Sequence, residues 1–182
     1  MKIVKDLLSD LEEFRTPVQM KDYFETKRTE ILAHKELNDL ARLKKDTFKN
    51  FLEAFYPLYL YSQSSYVPAD AKVKVVIGNQ GFDSIVMLSS GEQYKVEITE
   101  YIDGKAENDD AKLINERGYG GMKIGDTRDL ENKALDYLDL VIQKARRKAR
   151  KNYQGMTLII VINTFEILDL KKFNLIVRKY CC

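Results

Sequence analysis

The chain has 182 residues, 45% of them apolar and 32% charged, the proportions of one globular domain with a real core. Its formal net charge is +2, from 30 basic and 28 acidic residues, so overall charge neither requires nor excludes a polyanionic partner, and only local clusters can. No apolar run approaches the roughly 18 residues of a membrane helix, and MKIVKDLLSDLEEF lacks the apolar stretch of a secretory signal, so a cytoplasmic protein without membrane contact is expected.

In chain order, residues 3–14 and 20–56 are predicted helical. In the second stretch Ile31, Leu32, Leu37, Leu40, Ala41, Phe48, Phe51, Leu52, Phe55 and Tyr56 recur at helical spacing. A break is expected near 33–36, because the run is long for one globular helix, and Pro57 is expected to end it. The tyrosine-rich YPLYLYSQSSYVPAD then reads as a turn and connector over packed aromatics. Three strands follow: VKVVIGN, FDSIVML and EQYKVEITEY, separated by GNQG and SSG. The polar DGKAENDD reads as loop before a short helix through Arg117, and GYGGMKIGD, with four of the nine glycines, as a flexible loop. Residues 128–152 are predicted helical, with Ala134, Leu138, Val141, Ile142, Ala145 and Ala149 as the apolar stripe, and 157–163 form a buried strand. The last segment is a short helix or an edge strand. Cys181 and Cys182 read as free thiols in a solvated tail, too few for a structural metal site.

The consecutive strands predict an antiparallel meander, and the helix before the fourth strand predicts a crossover that returns it to the same sheet. Ser89-Ser90-Gly91 fits a three-residue hairpin loop with Gly91 left-handed. That loop pairs Leu88 with Glu92, and hence Val86 with Tyr94, Ser84 with Val96 and Phe82 with Ile98 on an apolar face. The other face pairs Met87 with Gln93, Ile85 with Lys95 and Asp83 with Glu97. A one-residue slip would mix the faces. Two carboxylates directly opposite each other repel, so this register asks for compensation by Lys95 or by a cation. Mg²⁺ suits the second case, since it takes one or two carboxylates with waters and phosphate oxygens.

The predicted helix ends in Lys144, Arg146, Arg147, Lys148, Arg150 and Lys151, six positive charges in eight residues. Basic residues suit a helix C-terminus, but this density exceeds what the dipole needs and fits a nucleic-acid phosphate backbone, bound without sequence readout. The glycine stretch reads first as a plain flexible connector, with Tyr119 as its candidate for stacking on a base. GYGGMKIGD lacks the Gly-Lys-Ser/Thr end of a P-loop. The single histidine, His34, lies among charged residues and reads as surface.

The order helix, three strands, helix, strand, with Gly81-Phe82-Asp83-Ser84-Ile85 on the second strand and Val96-Glu97-Ile98-Thr99 on the third, resembles the PD-(D/E)XK nuclease-like superfamily. The resemblance covers residues 36–165. It implies an α/β restriction-endonuclease-like core, with 1–35 as an N-terminal helical extension whose role, as a specificity element or a dimer surface, the sequence leaves open, and 166–182 as a C-terminal segment. It further implies Asp83 and Glu97 as metal and catalytic residues, Mg²⁺ as cofactor, and a nucleic acid, DNA or RNA, as partner. The family's lysine position is occupied by Thr99. The resemblance therefore implies a relocated lysine, Lys95 or one of Lys144 and Lys148, or else a catalytically silent site. Glu36 and Glu53 are the candidates for a further acid on the first core helix. Three functions follow: a metal-dependent nuclease, a non-catalytic nucleic-acid binder on the same fold, or a structural or interaction module.

Overall fold

In the computed structural model, which describes residues 7–121, 127–150 (backbone only at 127–131) and 155–162, Thr16 opens the first long helix. Its hydroxyl accepts the Gln19 N–H at 3.4 Å while the Gln19 side chain accepts the Thr16 N–H at 2.9 Å, a reciprocal cap that satisfies two otherwise orphaned donors. Pro17 at the first helical position needs no N–H partner. Helix α1 runs Pro17–Ala33 and α2 runs Lys35–Arg42, with an extended His34 between them. The expected break near 33–36 is therefore present. N-terminal to α1, the helix predicted over 3–14 does not continue through its described part: Leu7 is helical, and residues 8–12 are turns closed by Leu11 N–H to Leu8 C=O and Glu13 N–H to Asp10 C=O.

The chain then turns through Lys44 and Asp46, both at positive φ, into the short α3, Thr47–Asn50. A π-helical segment, Phe51–Phe55, leads into α4, Tyr56–Ser62. Pro57 was expected to stop the helix, and it does not. It sits in the first turn of α4, just after the wider π turn, where the missing N–H and the ring clash that break an α-helix interior are relieved. The segment read as a connector is thus helical over Tyr56–Ser62.

The strands are β1, Lys72–Val75; β2, Ser84–Met87; β3, Gln93–Glu100; and β4, Met156–Val161, in a four-stranded mixed sheet of order β1-β2-β3-β4. β1 and β2 pair antiparallel, as do β2 and β3. The β2–β3 register matches Ser84 with Val96, Ile85 with Lys95, Val86 with Tyr94 and Met87 with Gln93, as the hairpin loop predicts. Gly91 has φ +86°, and its N–H bonds the Leu88 carbonyl at 2.9 Å. Helix α5, Gly104–Arg117, includes the stretch read as a polar loop. Asp103 caps it, accepting the Lys105 and Ala106 N–H groups, and Gly118 ends it in the left-handed conformation. Helix α6 spans Thr127–Ala149.

The chain divides into two compact units. Of the described residues, 7–98, 103–121 and 155–159 belong to the first, and 99–102, 127–150 and 160–162 to the second. The first has a core of Met20, Phe48, Phe51, Phe55, Leu58, Val73, Val75, Val86 and Val96, all buried. Phe24 is stacked on Phe51, Tyr56 and Tyr59. Arg15 is buried against the Tyr23 ring, bonded to Asp10, and bridged to Val73 by two backbone hydrogen bonds of 2.8 and 2.9 Å. The second unit packs Tyr137, Leu138 and Val141 with Tyr101. No helix among the described residues is long and apolar enough to cross a membrane.

Candidate functional site

The hairpin carries the first set of predicted residues. The β2–β3 ladder reaches Ser84 and stops. Asp83 therefore does not stand opposite Glu97 as a ladder pair, which corrects the register extended from the turn. Instead the Asp83 N–H bonds the Val96 carbonyl at 2.9 Å, and its own carbonyl accepts the Val76 N–H at 2.8 Å. Its carboxylate Oδ2 accepts the Ile98 N–H at 2.7 Å. A continuing ladder would have offered that N–H the Phe82 carbonyl. The Asp83 side chain has replaced it, a charge-assisted bond stronger than the one it supplants. Asp83 is thereby fixed beside the Glu97–Ile98 peptide.

Glu97 is 7% exposed, and neither it nor Asp83 is without a further partner. Thr99 is buried, and its hydroxyl has no hydrogen-bond partner among the described residues. Lys95 is exposed, with its ammonium 4.8 Å from the Phe82 ring centroid. Phe82 was expected on the apolar face; it is half-buried under that cation because the strand has not begun. Among the described residues no three His, Cys, Asp or Glu side chains cluster in a way that could hold a metal. The donors available at the hairpin are two carboxylates, the usual protein share of a Mg²⁺ shell, and one oxygen of the pair is already engaged with backbone.

The acids proposed for the first core helix lie elsewhere. Glu53, in the π-helical segment, is 3.1 Å from the Lys44 ammonium, which also meets Glu107 at 2.7 Å. Burial opposes the Lys44 charge, the two carboxylates favour it, and the balance holds its pKa above the ordinary lysine value. Glu36 is exposed in the first turn of α2, and His34 is exposed. Tyr119 is 64% exposed, after the end of α5; residues 122–126 lie outside the described residues.

The basic end of α6 is different in kind. The predicted stripe is buried at Ala134, Leu138 and Val141, but Ala149 is exposed. Ile142 and Ala145 are half-buried, so the stripe loses its cover towards the end of the helix. Arg146, Arg147 and Arg150 are exposed, and none makes an ion pair among the described residues. Lys148 is half-buried and has a partner. Lys144 is half-buried and donates its ammonium proton to the Glu100 carbonyl. Lys151, Cys181, Cys182 and the segment 166–182 lie outside the described residues.

Within the second unit Lys144 and Arg147 line a cleft of about 340 Å³ with Tyr101, Ile102, Leu140 and Gln143. The helical members follow the spacing i, i+3, i+4, i+7, one face of a helix. That spacing was readable in the sequence, but Leu140 and Gln143 carry no charge and were not grouped with the basic residues. In the first unit an apolar groove of about 550 Å³ runs beside Phe24, Leu32, Tyr56 and Leu60.

Comparison with family models, with curated proteins and with solved structures gave no match.

Proposed function

We propose that this chain binds nucleic acid through the basic end of α6, on an α/β core of restriction-endonuclease-like order. The observation that carries this reading is the trio Arg146, Arg147 and Arg150, exposed and outside any ion pair among the described residues. A guanidinium that serves the fold is normally paired, as Arg15 is with Asp10. Unpaired and planar, these three are suited to phosphate oxygens. Contacts of this kind displace counterions and give affinity that falls steeply with salt, without reading sequence. Fluorescence anisotropy of a labelled oligonucleotide, titrated with the protein from 50 to about 300 mM salt, tests it. Binding with a negative slope in log K against log salt is the expected result. Absence of binding at the lowest salt would remove the reading and leave an interaction module.

A second reading is Mg²⁺-dependent phosphodiester cleavage at Asp83 and Glu97. One observation favours it: the 2.7 Å bond from Ile98 N–H holds the Asp83 carboxylate at the residue next to Glu97. The ion would polarise a phosphodiester and its attacking water when bound. The lysine is the weak part of this reading, since Lys95 faces Phe82 and Lys144 faces the Glu100 carbonyl. Labelled DNA and RNA incubated with Mg²⁺ or Mn²⁺, beside Glu97→Ala, decides the matter. Cleavage lost in the variant supports catalysis, and no cleavage by the unaltered protein leaves binding alone.

A further inference from the structure

The cleft beside Lys144 has a polarity along its length. Its helical wall is the stripe Leu140, Gln143, Lys144 and Arg147, and the facing wall is Tyr101 and Ile102. From Leu140 to Arg147 the helix rises about 10 Å. Arg147 is exposed at one end, next to Arg146 and Arg150. At the other end Leu140 is 37% exposed, an apolar floor. Asp136, one further turn back on the same stripe, is exposed and acidic. An anionic group therefore belongs at the Arg147 end and an uncharged one towards Leu140. Tyr101 is half-buried, and its ring is in T-shaped contact with the buried Tyr137 at 6.1 Å between centroids, which restrains its orientation. The Lys144 ammonium is anchored on the Glu100 carbonyl and keeps its remaining protons to donate. Gln143 adds an amide able both to donate and to accept.

We propose that this cleft takes one unpaired nucleotide of a single-stranded nucleic acid, with its base against Tyr101 and Leu140 and its phosphate on Arg147. The proposal rests on the nucleic-acid reading above and narrows it to single strands. Each feature matches one part of such a ligand. A flat apolar base has an aromatic ring and a leucine to lie on, an amide can meet its edge, and two cations meet the phosphate. The volume, about 340 Å³, lies within the range of small-ligand sites. A duplex keeps its bases paired and stacked, so it can offer this cleft only its backbone. A peptide carboxylate would engage Arg147 and leave Tyr101 and Leu140 against water.

The test compares a labelled 12-nucleotide single strand with the duplex of the same sequence, by anisotropy at fixed low salt. The single strand is expected to bind about tenfold more tightly. Tyr101→Leu keeps apolar packing on Tyr137 and removes the π face. It is expected to cost about tenfold on the single strand, in keeping with base–aromatic stacking, and to leave duplex binding unchanged. Leu140→Glu, at a position already exposed, should weaken single-strand binding similarly, and it serves if Tyr101→Leu fails to fold. Equal binding of the two forms, with both variants silent, would overturn the cleft assignment while nucleic-acid binding stands. Failure of both forms to bind would overturn both.

Discussion

The hairpin around Asp83 and the last turns of α6 both carry dense charge, but the charge is used differently. At the hairpin the Asp83 carboxylate completes the sheet, taking an N–H that the broken ladder would have left open. At Arg146, Arg147 and Arg150 no acid answers the charge among the described residues. Charge already satisfied within the fold is weak evidence for a ligand, because the fold explains it. Charge left in solvent at a density beyond what a helix dipole needs has no such explanation. The contrast puts binding ahead of catalysis.

The largest expected effect tests the basic side. Replacing Arg146, Arg147 and Arg150 together by Gln should lower oligonucleotide affinity about 100-fold at 50 mM salt and flatten the log K against log salt slope by about 2 to 3. Anisotropy across a salt series measures both. An unchanged slope would mean that these residues touch no phosphate.

The acidic side is sharpened by Asp83→Ala, which should cost about 2 kcal/mol of unfolding free energy, the scale of a hydrogen bond to a charged group. Urea melts with and without Mg²⁺ separate its two roles. Equal loss in both conditions identifies a structural bond, whereas a Mg²⁺-dependent stabilisation of the unaltered protein that vanishes in the variant would restore the metal reading.

Lys44→Met removes a cation from between Glu53 and Glu107 and should cost about 1 kcal/mol at neutral pH. The Lys44 pKa is raised in the folded state, so its contribution is complete below the ordinary lysine value of 10.5 and is lost as pH rises through the folded value. The gap between variant and parent in urea midpoint should therefore narrow in strongly alkaline solution. An effect of similar size but opposite sign is a gain: Thr99→Val removes a buried hydroxyl lacking a partner among the described residues and should stabilise by about 1 kcal/mol in the same melts.

Much of this arrangement was legible in the residues. The turn Ser89-Ser90-Gly91 fixes the register, because only a left-handed residue at Gly91 closes that loop and the alternation of Ser84, Val86 and Val96 follows from it. The start of β2 was not legible. Phe82 and Asp83 continue the alternation perfectly well, and what ends the ladder is a side-chain acceptor outcompeting a backbone one. Helix α5 was hidden for a similar reason. Its first turns look like loop by polarity, but Asp103 caps them, and Lys44 and Arg42 reach Glu107 and Asn115 from the preceding helical region. The basic end of α6 was evident from charge alone. Its cleft was not, since Tyr101 arrives from a segment some 40 residues away in sequence.

The backbone bridge between Arg15 and Val73 has a bearing on self-association. β1 is an edge strand, and an edge with free N–H and C=O groups is a template on which other chains can add. Arg15 occupies both groups of Val73, at the middle of a four-residue strand, and the stack of its guanidinium on Tyr23 pins it there. Lys72 and Lys74 flank the blocked position with like charges. A strand so short, covered at its centre and charged on either side, gives an incoming chain no run of consecutive bonds to form, so β1 is guarded against the edge-to-edge growth that leads to fibrils.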